Sequence, residues 1–134
     1  MFGDGLVSIA KQYGLKIIEV KAKWGEKINP DDVCKALDAH PDAKAVAIGQ
    51  SETSTTVLNP IDQIGEILKE SNAVFIVDAV SSLGGVPFEM DAWGIDLCAS
   101  ASQKCLGSIP GLAPVAVSPK GWECIDRSDD KAHG

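Results

Sequence analysis

Residues 73–79, "AVFIVDA", form a continuous apolar run that is interrupted only by the acid Asp78 near its end. A strand that is apolar at nearly every position is expected when both of its faces are buried, as in the middle of a parallel sheet. A carboxylate at the end of such a strand needs a hydrogen-bonding or cationic partner, because an isolated buried charge is costly. We therefore interpret this stretch as a central strand that carries a chemically useful group at its carboxyl end.

Segments with helical periodicity alternate with short apolar runs on both sides of this strand. The patterns predict helices over 5–13, 29–40, 59–71 and 119–126, and strands over 15–22, 43–49, 73–79, 95–100 and 112–118. Two of the helices begin with Asn-Pro, at Asn29 and Asn59, an N-cap followed by proline at the first helical position. This order of elements predicts an α/β fold, a three-layer α/β/α domain with a mostly parallel sheet.

Polar clusters follow three of the predicted strands, at residues 50–59, 78–82 and 100–104. Ligands of such sheets bind at the carboxyl ends of the strands, so these clusters are the candidate site. Lys104 lies among small residues, where its amine could form a Schiff base with an aldehyde, and Asp78 could hold the proton of a pyridine nitrogen. Spacing alone leaves two interpretations open: this pair, or a turn-capping acid and a solvated lysine.

The composition limits the classes of partner. A chain of 134 residues is long enough for one domain, and a net charge of −7 disfavours nucleic acid and anionic membranes, which need a positive surface. No apolar run approaches the ~20 residues of a membrane span, and no signal peptide is evident. The four cysteines are widely spaced, so we expect no metal site, reduced thiols and a cytoplasmic location.

Three ordered motifs carry a family resemblance: "SETST" followed by "VLNP", then "VDAVSSLGG", then "SQK" followed by "PGLA". With these motifs nearly the whole chain resembles the class V (fold type I) aminotransferases, in particular their serine–pyruvate and alanine–glyoxylate branch. The resemblance implies pyridoxal 5′-phosphate (PLP) as cofactor. It also implies a homodimer that transfers an amino group from a small amino acid to a 2-oxo acid such as pyruvate or glyoxylate.

The resemblance also implies roles for individual residues. Lys104 matches the catalytic lysine, which binds the cofactor aldehyde and later moves a proton between the substrate and the cofactor. Asp78 matches the acid that is bonded to the pyridine nitrogen and keeps the ring cationic, so that the ring can accept electrons.

Four further positions match cofactor contacts of the family. Val80 matches the residue packed on one face of the ring, and Thr53 the hydroxyl near the 3′-oxygen. Gln103 matches a position at the phosphate, for which Ser102 is a weaker candidate. Thr56 departs from the family pattern, since a glycine commonly follows the "ETST" stretch.

We expect the chain to be a partial unit, with residues 1–126 as part of a PLP-binding large domain and 127–134 as a polar tail. Family members have further segments that bind the phosphate and the substrate carboxylate, and the single arginine here, Arg127, lies in the tail. The isolated chain is therefore expected to be incomplete for catalysis. An inactive truncated paralogue or an interaction fragment is the alternative. A cysteine desulfurase-like PLP lyase is a lesser one, because "SQK" lacks the histidine usual near that lysine.

Overall fold

The computed structural model describes residues 2–127, so residues 128–134 of the predicted polar tail lie outside the described part. The elements follow in the order α1 (Phe2–Gln12), α2 (Pro30–Ala39), β1 (Ala45–Gly49), β2 (Ser51–Glu52), β3 (Val57–Leu58), α3 (Ile61–Leu68), β4 (Val74–Asp78), β5 (Leu97–Ala99), β6 (Val115–Val117) and α4 (Pro119–Asp126). Among residues 2–127, no helix has the length and apolar character that a membrane crossing requires.

The main sheet has the strand order β1-β4-β5-β6. β1, β4 and β5 run parallel, and β6 pairs antiparallel with β5. The long connections between the parallel strands are those that such strands need, because a hairpin cannot join them. The predicted mostly parallel sheet is confirmed, with β4 in its interior.

Side chains of β4 alternate between two covered faces, as the pleat of a strand requires. Phe75 and Val77 are fully buried in the main core, together with Ile61 and Ile64 of α3. Ile76 faces the opposite side, where it shares a cavity with Leu6 of α1. Helices therefore cover both faces, and the expected three-layer arrangement is present.

The predicted strand over 15–22 is wrong. Residues 15–23 form no strand within the described chain, and Leu15 and Ile18 are exposed to 60% and 43%. The abundance of β-branched residues indicated a strand, but β-propensity reflects packing against neighbouring strands more than an intrinsic backbone preference. No neighbouring strand pairs with this segment in the part of the chain that the structure describes.

The two Asn-Pro helix starts behave differently. The Asn29 side chain caps α2 by accepting a hydrogen bond from the backbone of Asp31, as expected. The N-cap of α3 is Pro60, so the expected cap at Asn59 is wrong. The Asn59 amide instead donates to the carbonyl of Gly49 at 2.8 Å, and its oxygen accepts from the backbone N–H of Ile28 at 3.0 Å. Asn59 thereby connects the end of β1 to the segment that precedes α2.

Candidate functional site

The three parallel strands end in one row. Gly49 of β1 is in register with Asp78 of β4, and Asp78 is in register with Ala99 of β5. The backbone N–H of Gln50 donates to the carbonyl of Asp78, and that of Ala79 donates to Ala99, both at 2.9 Å. The polar clusters that follow these strands therefore start from the same edge of the sheet, as the sequence predicted.

Asp78 is the last residue of β4 and is partly buried. Its Oδ1 accepts a hydrogen bond from the backbone N–H of Val80 at 2.9 Å, which fixes the turn after the strand. The other carboxylate oxygen has no hydrogen-bond partner among residues 2–127. Asp78 and Val80 both line a cavity of about 140 Å³. This arrangement leaves one carboxylate oxygen of Asp78 available to a ligand.

Two electrostatic effects mark the surroundings of this edge. Burial raises the pKa of the Cys98 thiol, and the negative charge of nearby Asp78 raises it further, so this thiol stays neutral. A hydrogen bond from the Ser54 hydroxyl, 2.7 Å from the carboxylate, lowers the pKa of Glu52. Glu52 therefore carries a negative charge next to Thr53 in the chain.

Lys104 lies in the loop after β5 and is exposed. Its backbone is held in a turn, since its carbonyl accepts a hydrogen bond from the N–H of Gly107 at 2.9 Å. No group of residues 2–127 pairs with its amine. An amine that is exposed and has no partner of its own is accessible to an aldehyde.

Ser102 anchors this loop. It is 4% exposed, and its hydroxyl donates to the carbonyl of Ile109 at 2.7 Å and accepts from the N–H of Leu112 at 3.3 Å. A phosphate-binding role for Ser102 stays a prediction, since this hydroxyl already bonds to its own loop. Gln103 is exposed, and its amide has no partner among the described residues.

Thr53 occupies the turn between β2 and β3, and its hydroxyl lies 2.6 Å from the hydroxyl of Ser81. The Ser81 carbonyl in turn accepts a hydrogen bond from the Cys105 thiol at 3.4 Å. Cys105 packs so closely on Gly85 that a side chain at Gly85 would meet its sulfur at 2.7 Å. The loops after β1, β4 and β5 are thus joined by direct contacts around Ser81.

Ser81 and Ser82 belong to the polar cluster 78–82 at the end of β4, and no motif in the sequence assigned either residue a role of its own. Ser81 proved to be the contact between loops, a role with no local sequence signal. Ser82 is buried and its hydroxyl has no partner within residues 2–127, as is also true of the side-chain oxygen of Gln50. The carbonyl of Ser82 accepts the N–H groups of Gly85 and Val86, and the carbonyl of Pro87 just beyond them accepts the amide of Gln50 at 3.2 Å.

The match to the family model of class-V aminotransferases runs from residue 6 to residue 120, most of the chain. The chain belongs to the class-V aminotransferases. An uncharacterised aminotransferase of Methanocaldococcus jannaschii is 45% identical over 130 residues, 97% of this chain and 34% of the relative. The pyridoxamine–pyruvate transaminase of Mesorhizobium japonicum is 35% identical over 122 residues, 91% of this chain and 31% of that enzyme.

The same class-V fold is present in solved structures. The crystal structure of an alanine–glyoxylate aminotransferase from Nostoc sp. matches with a TM-score of 0.92 at 38% identity, over 98% of this chain and 34% of that chain. The chain therefore spans about a third of the length of the relatives that it matches. The predicted family and fold class are confirmed.

The residues of this class-V chain fit part of PLP. The free oxygen of Asp78 suits a pyridine N–H, the free amine of Lys104 suits an aldehyde, and the Thr53 hydroxyl suits the 3′-oxygen. The phosphate end is less complete, since the exposed Gln103 amide is available but the Ser102 hydroxyl is already bonded within its loop. The ring and aldehyde ends of the cofactor thus have suitable partners here.

Proposed function

We propose that this chain binds PLP and supplies the cofactor-binding part of an aminotransferase. The observation that carries the proposal is the placement of Asp78 and Lys104. Asp78 is the last residue of β4, and Lys104 lies in the loop after the adjacent parallel strand β5, whose end is in register with that of β4. Each has a polar group without a partner among the described residues. The proposal assigns residues 1–126 to part of a PLP-binding large domain.

Bound at this edge, PLP would supply the acceptor for the electrons that are released when an amino group is transferred. The amine of Lys104 holds the cofactor aldehyde and moves a proton to and from the substrate carbon. The free carboxylate oxygen of Asp78 accepts the pyridine N–H and keeps that nitrogen protonated, because a nearby negative charge favours the cationic form.

The remaining assigned residues position the cofactor. Val80 packs on one face of the ring, which its place beside Asp78 on the same cavity supports. Thr53 donates to the 3′-oxygen, and Gln103 contacts the phosphate. Ser102 keeps a secondary role at the phosphate, with the loop that carries Lys104 as its main partner.

We infer the substrate class from the relatives. The matched transaminase of Mesorhizobium japonicum is named for pyridoxamine and pyruvate, and the Nostoc structure for alanine and glyoxylate. These names support transfer of an amino group between a small amine or amino acid and a short 2-oxo acid. Because the chain spans about a third of these proteins, the substrates are proposed for a unit that includes the other segments.

We further propose a homodimer in the cytoplasm. Exposed apolar side chains in the loop after Lys104 support a dimer, since Ile109 and Leu112 are exposed to 81% and 73%. The four free cysteines support a reducing compartment.

Chemical trapping tests the proposed lysine. The chain is incubated with PLP and reduced with borohydride, and peptide mapping by mass spectrometry then locates the pyridoxyl group. We expect the group on Lys104 and its loss in Lys104→Ala. Lys44→Ala is the matched control. Lys44 is an exposed lysine just before β1, at the amino-terminal end of the strands and so at the opposite end of the sheet from the proposed site.

An adduct that survives in Lys104→Ala would contradict the proposal. Specific labelling of Lys104 without amino-group transfer by the full-length protein would instead favour the non-catalytic interaction fragment over the enzyme.

A further inference from the structure

Ser81 contacts two neighbouring loops at the proposed cofactor site. Its hydroxyl lies 2.6 Å from the Thr53 hydroxyl, and its carbonyl accepts the Cys105 thiol at 3.4 Å. It directly follows Val80, whose N–H is bonded to the Asp78 carboxylate. One serine thus contacts the loops that carry Thr53 and Lys104 from the turn that follows Asp78.

The hydroxyl pair has two possible directions, since either oxygen can donate. If Thr53 donates to Ser81, its only hydroxyl proton is used inside the protein. If Ser81 donates to Thr53, the Thr53 proton is free for a ligand oxygen, and the accepted hydrogen bond makes Thr53 a stronger donor. An anionic oxygen beside Thr53 would select the second direction.

We propose that Ser81 is a positioning residue that directs the Thr53 hydroxyl proton toward the 3′-oxygen of the bound cofactor. This inference rests on the proposed function, because it requires PLP on Lys104. Ser81 itself does not touch the cofactor in this scheme and acts through Thr53. Its second bond, to Cys105, keeps the turn after β4 in place against the loop that carries Lys104.

The inference has a spectroscopic consequence. A donor to the anionic 3′-oxygen stabilises the deprotonated form of the lysine-bound cofactor and lowers the pH at which its visible absorbance titrates. One ordinary hydrogen bond corresponds to about half to one pH unit. Loss of the Thr53 hydroxyl should therefore raise that midpoint by about this amount. Loss of the Ser81 hydroxyl should raise it by less, because Thr53 keeps its proton and loses only the accepted hydrogen bond that makes it a stronger donor.

The test compares PLP-loaded wild type with four single variants and one double variant by absorbance titration. We expect Ser81→Ala and Thr53→Val each to raise the midpoint, whereas Ser81→Thr and Thr53→Ser, which keep a hydroxyl, should titrate like wild type. In the double variant Ser81→Ala, Thr53→Val the shift should equal that of Thr53→Val alone, because Ser81 acts only through the Thr53 hydroxyl.

Two results would overturn the inference. One is an unchanged midpoint in a Ser81→Ala variant that still carries PLP on Lys104. If that variant differs from wild type only by a lower thermal stability, Ser81 has a purely structural role. The other is an additive shift in the double variant. If Ser81→Ala does not fold, an unchanged midpoint in Thr53→Val would also overturn the inference. Thr53 is exposed, so its substitution should leave the protein folded. Absence of any adduct on Lys104 in wild type overturns the proposed function, and this inference with it.

Discussion

Thr56 holds a backbone conformation that glycine adopts at much lower cost. Its φ of 59° lies in the left-handed region, and it is the only non-glycine residue there among residues 2–127. The turn between β2 and β3 requires this conformation, because the N–H of Thr56 closes the turn on the carbonyl of Glu52 at 2.8 Å. The family glycine at this position thus has a physical reason, and the threonine is strained.

Thr56→Gly should therefore stabilise the chain. A non-glycine residue in the left-handed region costs ~1–2 kcal/mol, and glycine loses ~0.5–1 kcal/mol more conformational entropy on folding. We expect the free energy of unfolding to rise by about 0.5–1 kcal/mol, measured by urea denaturation. The control Thr55→Gly, at the neighbouring residue with negative φ, should lower it. A lower free energy of unfolding in both variants would contradict the strain at Thr56.

At the scale of elements, Asp96 connects two strands to a helix. Its carboxylate accepts the backbone N–H of Phe75 at 2.9 Å and the hydroxyl of Ser118 at 2.8 Å, and it lies 3.2 Å from the amine of Lys120. α4 approaches so closely that a side chain at Gly121 would meet the Asp96 carbonyl at 2.8 Å. This buried acid lies before β5, at the opposite end of the sheet from Asp78, and has a structural role.

Asp96→Ala should destabilise the protein. The substitution leaves the buried N–H of Phe75 without its side-chain acceptor and removes one partner each of Ser118 and Lys120. Losing a buried acceptor of this kind costs ~1–3 kcal/mol, so we expect a loss of about 2 kcal/mol in urea denaturation. Asp42→Ala, at an exposed acid between α2 and β1, should change stability by less than about 0.5 kcal/mol. Equal effects of the two substitutions would argue against the structural role of Asp96.

At the scale of the whole molecule, the sheet has a well-packed core but leaves apolar surface uncovered. Ile109, Leu112 and Val115 are exposed to 81%, 73% and 59%, close together in the segment that leads from Lys104 into β6. Large uncovered apolar surface of this kind marks an interaction site. The solved relative of TM-score 0.92 is about three times as long, so more chain accompanies the same fold there.

Ile109→Asp should weaken the proposed homodimer. Sedimentation velocity over a range of concentrations should show dimer in wild type and a dimer dissociation constant raised at least about tenfold in the variant. The substitution replaces an exposed apolar side chain with a charge that association would have to desolvate. Ile9→Asp is the control, with an isoleucine of α1 that is exposed to 55%. A wild type that stays monomeric at every concentration would contradict the homodimer.

The sequence pattern predicted the structure correctly where a residue's partner is close in the chain, or where a whole strand is buried on both faces. The apolar run 73–79 predicted an interior strand with Asp78 near its end. Asn29-Pro30 predicted the start of α2, because a cap acts on the backbone two residues further along the chain. The order of these elements was enough to predict a mostly parallel sheet, and parallel strands align their carboxyl ends. Asp78 and Lys104 could therefore be predicted from the sequence alone to lie at the carboxyl ends of neighbouring strands.

The tertiary structure decided what depends on partners far apart in the chain. Residues 15–22 have strand propensity but no neighbouring strand in the described chain, and the Asn59 side chain bonds to Ile28 instead of capping its own helix. The contact between Thr53 and Ser81 spans 28 positions, and the bond between Phe75 and Asp96 spans 21. Such hydrogen bonds leave no periodicity in the sequence, because they form only after the strands have brought the loops together.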